Sequence, residues 1–561
     1  MRRFTLLLIL FLSWGKILPA QETPLSETDQ ASEAPSETPS GTPESSGTLP
    51  LSETPQPSDA TEYPEISPQG HLVDEPALTE TIVFYIRNID FNIQGRTRPW
   101  AITKNIDLET GLRIRGVQNL ETYIRRKNQT LRNQRVLNDE HSWIDYTINP
   151  EDPDGLVPVD LVVHTVDTWN IIALPEPKYD SNSGLSLTLK ARDYNFWGTM
   201  SPLAIDLGYK LEDEKNSALL GIDSDTPFTL FGFDWNLDFD HDFEYTEHEP
   251  LYYKNTTGLS MEVPWKRTTF TFGFSQAFIV NEEISDDEKA RYPSTQNEDT
   301  FPDTWYMASS FSVGWHIPLL GMGDFGELSY SPGISEGINY RPGGEIGDYR
   351  RGPTTTLSHS LGFGQVNWVG NYRNGASVSL SNSNTFNNYF HTWNNSMTFT
   401  AIGHKAVNRF FGVSARLQYR QWFNNPSLNA GDTLRGVRND DIQADYMLSL
   451  NVQLPVRVLR FVPSEWFNTR KLRLFDFEMH FSPFLDLAAF EGREDQGDRW
   501  GEYHFKEVLP AAGFELIAFP LSWRSLFLRG SIGWHMVEWV KQNSLPGGRA
   551  RDIYIGVGHY F

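Results

Sequence analysis

The chain has 561 residues, 72 Asp and Glu against 47 Lys and Arg, no cysteine, 13% aromatic residues and a mean hydropathy of −0.44. The length exceeds one ordinary domain. The missing cysteine excludes a disulfide scaffold, a thiolate metal site, a Cys nucleophile and a lipid-modified Cys, and a net charge of −25 gives no basic surface to displace counterions from nucleic acid. Beyond the N-terminus no run of about 18 apolar residues occurs, so a membrane protein of this composition has to be a closed β-barrel.

Residues 1–20 read as a signal peptide: Arg2 and Arg3 form a charged head, Thr5 to Trp14 a short apolar stretch, and Ala20 a cleavage point. The alternative is an uncleaved signal anchor. Residues 21–79 are rich in Ser, Thr, Pro and Glu and cannot bury enough apolar surface to fold, which predicts a solvated tether or a partner-docking tail.

Residues 80–168 read as a compact α+β domain. Ile82, Phe84 and Ile86 alternate with Val83, Tyr85 and Arg87 as a strand. Leu120, Tyr123, Ile124 and Leu131 recur near helical spacing, with Arg125, Arg126, Lys127 and Arg132 on the other face. Ser142 to Asn149 and Val157 to Val163 are two further strands. The basic helix face reads as solvated surface.

From residue 169 to 561 the pattern predicts an all-β transmembrane barrel. In FGFDWNLDFDHDFEY, Phe231, Phe233, Trp235, Leu237, Phe239, Phe243 and Tyr245 share one parity. Asp234, Asn236, Asp238, Asp240, Asp242 and Glu244 share the other. Six polar groups facing a dry core would be prohibitive, whereas a wide barrel gives the aromatics lipid and the carboxylates a wet lumen. Side chains in a row along one strand do not converge on one ion, so no metal site is read there. The alternation recurs to the end, for example at Phe311 to Ile317, Val413 to Arg420, Leu448 to Leu454 and Phe475 to Ser482. It gives about 16 antiparallel strands, counted from residue 184. No P-loop, GxSxG or HExxH motif is present, so neither an enzyme nor a cofactor is expected.

Residues 80–561 resemble the BamA/TamA/FhaC superfamily of outer-membrane assembly and translocation factors, in which POTRA domains precede a sixteen-stranded barrel. RDYNFWGTM (Arg192 to Met200) resembles the first barrel hairpin, with Asn195 and Gly198 at matching places. Leu434, Arg435, Gly436 and Val437 resemble the sixth-loop motif between strands eleven and twelve, with Val437 where an aromatic is usual. FSPFLDLAAF resembles a lumen strand motif with Asp486 as its acid, LPAAGFELIAFPL the strand after it, and Gly558 with Phe561 the C-terminal assembly signal.

The resemblance implies one POTRA-like periplasmic domain that takes clients by strand addition, and a lateral seam between the first strand, placed near 184–196, and the last, at 552–561. It implies unfolded or nascent outer-membrane polypeptides as clients, periplasmic accessory proteins and outer-membrane lipids as partners, and a bacterial outer-membrane location. Asp486 shares the parity of Asp476, Glu478, His480 and Ser482, so it should face the lumen, where Arg435 on an inward-folded loop would pair with it. The other readings are a passive porin-type channel with an acidic, cation-favouring lumen and, more weakly, an adhesin using loops such as 282–304.

Overall fold

The computed structural model describes residues 82–153, 155–180, 184–211, 216–282, 304–321, 325–347, 350–423, 428–429, 433–437, 443–492, 508–536 and 551–557. The expected signal peptide and tether, and Gly558 and Phe561, lie outside the described residues.

The small domain runs β1 (Val83–Gln94), α1 (Pro99–Ile106), β2 (Arg113–Arg115), α2 (Val117–Asn133), β3 (Trp143–Ile148) and β4 (Leu156–Val166). Its sheet order is β2-β1-β4-β3, with β1 and β4 parallel and the other pairs antiparallel. Phe84 and Ile86 on β1, Leu120, Ile124 and Leu131 on α2, and Val159, Leu161 and Val163 on β4 meet in one dry core. Each such side chain contributes roughly 1.5–3 kcal/mol by leaving water. A bulge between Ile86 and Asn88 shifts the parity of β1, so Ile89, Phe91 and Ile93 carry the core face onward. Pro99 opens α1, where a missing N–H costs nothing.

The rest is a closed antiparallel barrel. Its segments are β5 (Ile171–Asp180), β6 (Gly184–Asp193), β7 (Leu203–Leu211), β8 (Asn216–Leu230), β9 (Phe233–Thr246), β10 (Tyr252–Trp265) and β11 (Thr268–Val280). There follow β12 (Trp305–Gly321), β13 (Glu327–Tyr340), β14 (Thr354–Val369), β15 (Tyr372–Asn387), β16 (Thr392–Asn408), β17 (Phe411–Trp422) and β18 (Leu428–Asn429). The last are β19 (Gln443–Gln453), β20 (Val456–Phe461), β21 (Phe477–Gly492), β22 (Val508–Pro520), β23 (Leu528–His535) and β24 (Arg551–Val557). Of these twenty segments β18 is a two-residue piece, and β19 and β20 lie end to end between β17 and β21, which leaves eighteen staves among the described residues.

Three placements differ from the sequence reading. The first stave is Ile171–Asp180, not 184–196. Pro175 and Pro177 hide it, because proline argues against a paired strand. RDYNFWGTM therefore turns the second hairpin, from β6 into β7. The loop with Arg435 joins the thirteenth and fourteenth staves, β17 and β19, rather than the eleventh and twelfth.

The wall is greasy outside. Leu207, Leu237, Phe272, Phe274, Phe311, Ile334, Leu450 and Leu485 are all exposed. At the barrel end nearest the small domain Trp169, Trp197, Phe231, Trp265, Phe325 and Phe410 form a girdle of exposed aromatics, the signature of a membrane–water boundary. Phe231 sits in the tight turn before β9 with φ of 55° and is 85% exposed. Among the described residues no helix is long and apolar enough to cross a membrane. On the inner face Asp238 pairs with Asp225, Asp240 with Asp223 and Asp242 with Gly221, which places the acidic row of β9 on one wall of the lumen.

A buried arginine anchor in the barrel lumen

The opposite wall, β17 to β23, is filled. Lumen parity runs through Ser449, Asn451 and Gln453 on β19, Glu478, His480, Ser482 and Asp486 on β21, Glu515 on β22, and Arg529, Ser531 and His535 on β23, and all are buried. The β21–β22 register is continuous through Pro483, so Asp486 keeps the parity of Glu478 and His480.

Residues Thr433 to Val437 are buried between these staves. Arg435 is 4% exposed and Asp486 fully buried. The Arg435 guanidinium donates to both carboxylate oxygens of Asp486, Nε to Oδ2 at 2.9 Å and Nη2 to Oδ1 at 2.7 Å. Its backbone N–H adds a third bond to Oδ2 at 3.0 Å. Nη1 donates to Gln453 Oε1 at 2.9 Å and stands 3.6 Å from Glu515, which is held by Arg529 Nε at 2.7 Å. The guanidinium carbon lies 3.8 Å from the centroid of the Phe484 ring. Arg435 and Arg529 are thus paired with Asp486 and Glu515 in a buried seat, with the planar fork of Arg435 used on both edges and one face.

The tip is held by shape as well as charge. Asn451 Nδ2 donates to the Thr433 carbonyl at 2.9 Å, and Arg416 Nε donates to Asn451 Oδ1 at 3.0 Å. Gly436 has φ of 90°, and a Cβ there would stand 2.6 Å from the backbone N of Trp534. A Cβ on Gly533 would stand 2.8 Å from Gly436 in turn, so the two glycines lie backbone against backbone. Leu434 and Val437 pack on Met447, Ala488, Phe490, Leu509 and Ala511. The sequence reading named Leu434, Arg435, Gly436, Val437 and Asp486. It missed Gln453, Glu515, Arg529 and Gly533, for which lumen parity on the neighbouring staves was the available signal.

The small domain is fastened across one mouth of the barrel. Asp167 accepts from Thr97 Oγ1 at 2.6 Å, from the Arg96 N–H at 2.7 Å and from Asn195 Nδ2 at 3.2 Å. Arg96 forks onto Asp193 at 2.8 and 3.1 Å, and the Arg98 N–H donates to the Gly198 carbonyl at 2.9 Å. Gly198, with φ of 74°, is required there because a Cβ would stand 2.1 Å from the Arg96 carbonyl oxygen. Asn195 and Gly198 thus bind the domain to the β6–β7 turn. Farther round the rim, Asn133 bridges to Asn367 at 2.9 Å and to the Trp368 N–H at 3.0 Å. Arg135 stacks 4.3 Å from the centroid of a Trp368 ring and donates to the Arg524 carbonyl. Arg524 answers with bonds to the Leu137 carbonyl at 3.0 Å and Asp139 at 2.9 Å. Burial first, and the Arg524 charge second, pull the Arg135 guanidinium down to about 9.

These features define an outer-membrane-type β-barrel with an occupied lumen and a small α+β domain at one mouth. No family model and no curated protein matches the chain. Among solved structures it is similar to CdiB from Acinetobacter baumannii, at 11% identity, over 85% of this chain and 74% of that one, with a TM-score of 0.43. It is similar to CdiB from Escherichia coli, at 12% identity, over 84% and 76%, TM-score 0.45. It is also similar to BamA from Haemophilus ducreyi lacking POTRA domains 1–3, at 14% identity, over 84% and 84%, TM-score 0.35. All three likenesses are distant, and the barrel itself is established by its strand pairing.

Proposed function

We propose that this protein is a bacterial outer-membrane assembly or translocation factor whose barrel is closed at rest by the Arg435 loop. The observation that carries the reading is that loop tip, locked onto Asp486 inside the lumen. In a passive pore fixed lumen charges tune selectivity, whereas a conduit that opens only for a client needs a removable stopper with a defined seat.

The energy for client handling would come from strand pairing and burial. The small domain, read as a single POTRA unit facing the periplasm, offers the three-residue edge strand β2 to an extended client. The wall offers a second edge. Among the described residues β24 meets β5 at one paired position, Tyr554 with Asp180. Pro175 and Pro177 deprive β5 of two ladder donors, as befits a strand that serves as an edge. In this reading the junction of first and last staves parts and templates incoming strands. The partners of the reading are unfolded outer-membrane polypeptides, periplasmic accessory proteins and the lipids of the outer membrane.

The chain has no cysteine, so the seam can be locked cleanly by Asp180→Cys with Tyr554→Cys. The locked protein should lose client assembly or secretion and recover it on reduction. Full activity while locked would remove the seam from the mechanism. A large steady conductance unaffected by Arg435→Ala would replace the whole reading by a porin.

A further inference from the structure

Four turns at the domain-side end are tight: residues 231–232, 266–267, 370–371 and 409–410 each join two staves. Between β20 and β21 the chain instead spends fifteen residues, 462–476, where two would serve. The segment is fastened at both ends. The Ser464 N–H and hydroxyl donate to the buried Asp476 carboxylate, the former at 3.0 Å. The Leu521 N–H donates to the Asp476 carbonyl at 2.9 Å, and Ser522 Oγ to the Arg473 carbonyl at 2.6 Å. Yet this fixed element leaves large apolar side chains uncovered: Trp466 is 62% exposed, Phe467 69%, Leu474 58% and Phe475 62%. A soluble surface avoids such a cluster.

Its direction is set by one ring contact. Trp466 meets Phe461 edge to face, with centroids 5.0 Å apart at 84°. Phe461 pairs with Phe477 on the lipid-facing parity of β21, the parity of Phe481 and Leu485. The segment therefore bends outward against the outer wall, at the level of the aromatic girdle, and not under the lumen. Its exposed cations Lys471 and Arg473 stand beside the aromatics, while the nearby acid Glu465 is matched by Arg460 at 3.4 Å.

We infer that residues 462–476 form an interfacial foot that docks on anionic phospholipid, with Trp466, Phe467, Leu474 and Phe475 among the acyl chains and Lys471 and Arg473 on headgroup phosphates. Apolar groups flanked by cations at a membrane boundary are the pattern that binds such a surface. The occupant is the lipid layer itself because the patch continues an established lipid-facing wall. The foot anchors the wall between β20 and β21 and would fix the barrel's tilt in the membrane. The inference rests on the reading of the barrel as membrane-spanning.

The test uses the full chain in vesicles, with one spin label at Phe467→Cys and a second preparation labelled at Phe272→Cys on the mid-wall. Vesicles contain phosphatidylglycerol with phosphatidylethanolamine, or phosphatidylcholine alone. The label at 467 is expected at headgroup depth in the anionic vesicles. Lys471→Glu with Arg473→Glu should move it toward water there and leave it unchanged in phosphatidylcholine. In native mass spectrometry the same double reversal, on the unlabelled chain, should cut retained phosphatidylglycerol roughly tenfold. A label at 467 that is fully water-accessible, or a charge reversal without effect on depth and retention, overturns the foot. A water-accessible label at 272 would instead overturn the membrane-spanning barrel.

Discussion

Removing the Arg435 side chain is the most informative single change. Arg435→Ala strands Asp486, which is fully buried and takes three of its hydrogen bonds from Arg435. Breaking a buried pair by deleting one partner costs about 3–5 kcal/mol, because the remaining charge is left without compensation. The backbone N–H of residue 435 stays in place, which argues for the lower end of that range. About 3 kcal/mol taken from the seated loop alone shifts the balance between closed and open lumen roughly a hundredfold. Planar-bilayer conductance should therefore pass from rare brief openings to sustained ones. Asp486→Ala should do the same, and the double substitution should be much less severe than the sum, with a coupling of about 2 kcal/mol or more. Arg435→Lys keeps the charge but loses the fork and should fall between. Additive single substitutions, or identical conductance in all four proteins, would refute the idea that this pair seats the loop.

Further expectations concern shape and fastening. Gly436→Ala should destabilise the seated tip by about 1–3 kcal/mol, since φ of 90° and the Trp534 backbone both oppose a Cβ, and heat-modifiability on gels would report a lower midpoint. Gly198→Ala drives a methyl into the Arg96 carbonyl, so hydrogen exchange should rise at the β6–β7 turn and in residues 96–98 while the core of the small domain stays protected. Leu120→Ala, by contrast, should cost that core about 2–5 kcal/mol and leave the barrel intact. Trp368→Ala removes the ring under Arg135 and should loosen the small domain from the rim, visible as faster proteolysis between residues 134 and 142 with unchanged barrel mobility.

Much of this was legible because a barrel obeys one rule along its whole length. The two-residue period of Phe233 to Glu244 told lipid from lumen, and the same period placed Asp486 beside Glu478 and His480 once the register proved continuous through Pro483. The core of the small domain was readable for a similar reason, since Leu120, Ile124 and Leu131 keep helical spacing. What stayed hidden was where tertiary context overrides pattern. Pro175 and Pro177 disguise β5, and an edge-type first stave is the one place where such a strand survives. The bulge after Ile86 reverses parity without any sequence mark. Glu515 and Arg529 lie on alternating strands like many lumen residues, and only the fold brings them to Arg435. Gly533 looks like an ordinary strand glycine until Gly436 is packed on it. The foot at 462–476 was passed over because its apolar residues follow no strand period.

The central claim is that this barrel handles other polypeptides. Its direct test is depletion of the protein followed by an inventory of the outer-membrane and secreted proteins. The account predicts that specific barrel proteins or exported chains disappear and return only with a functional copy, while a copy locked by Asp180→Cys and Tyr554→Cys restores them only under reducing conditions. An inventory unchanged by depletion would contradict it.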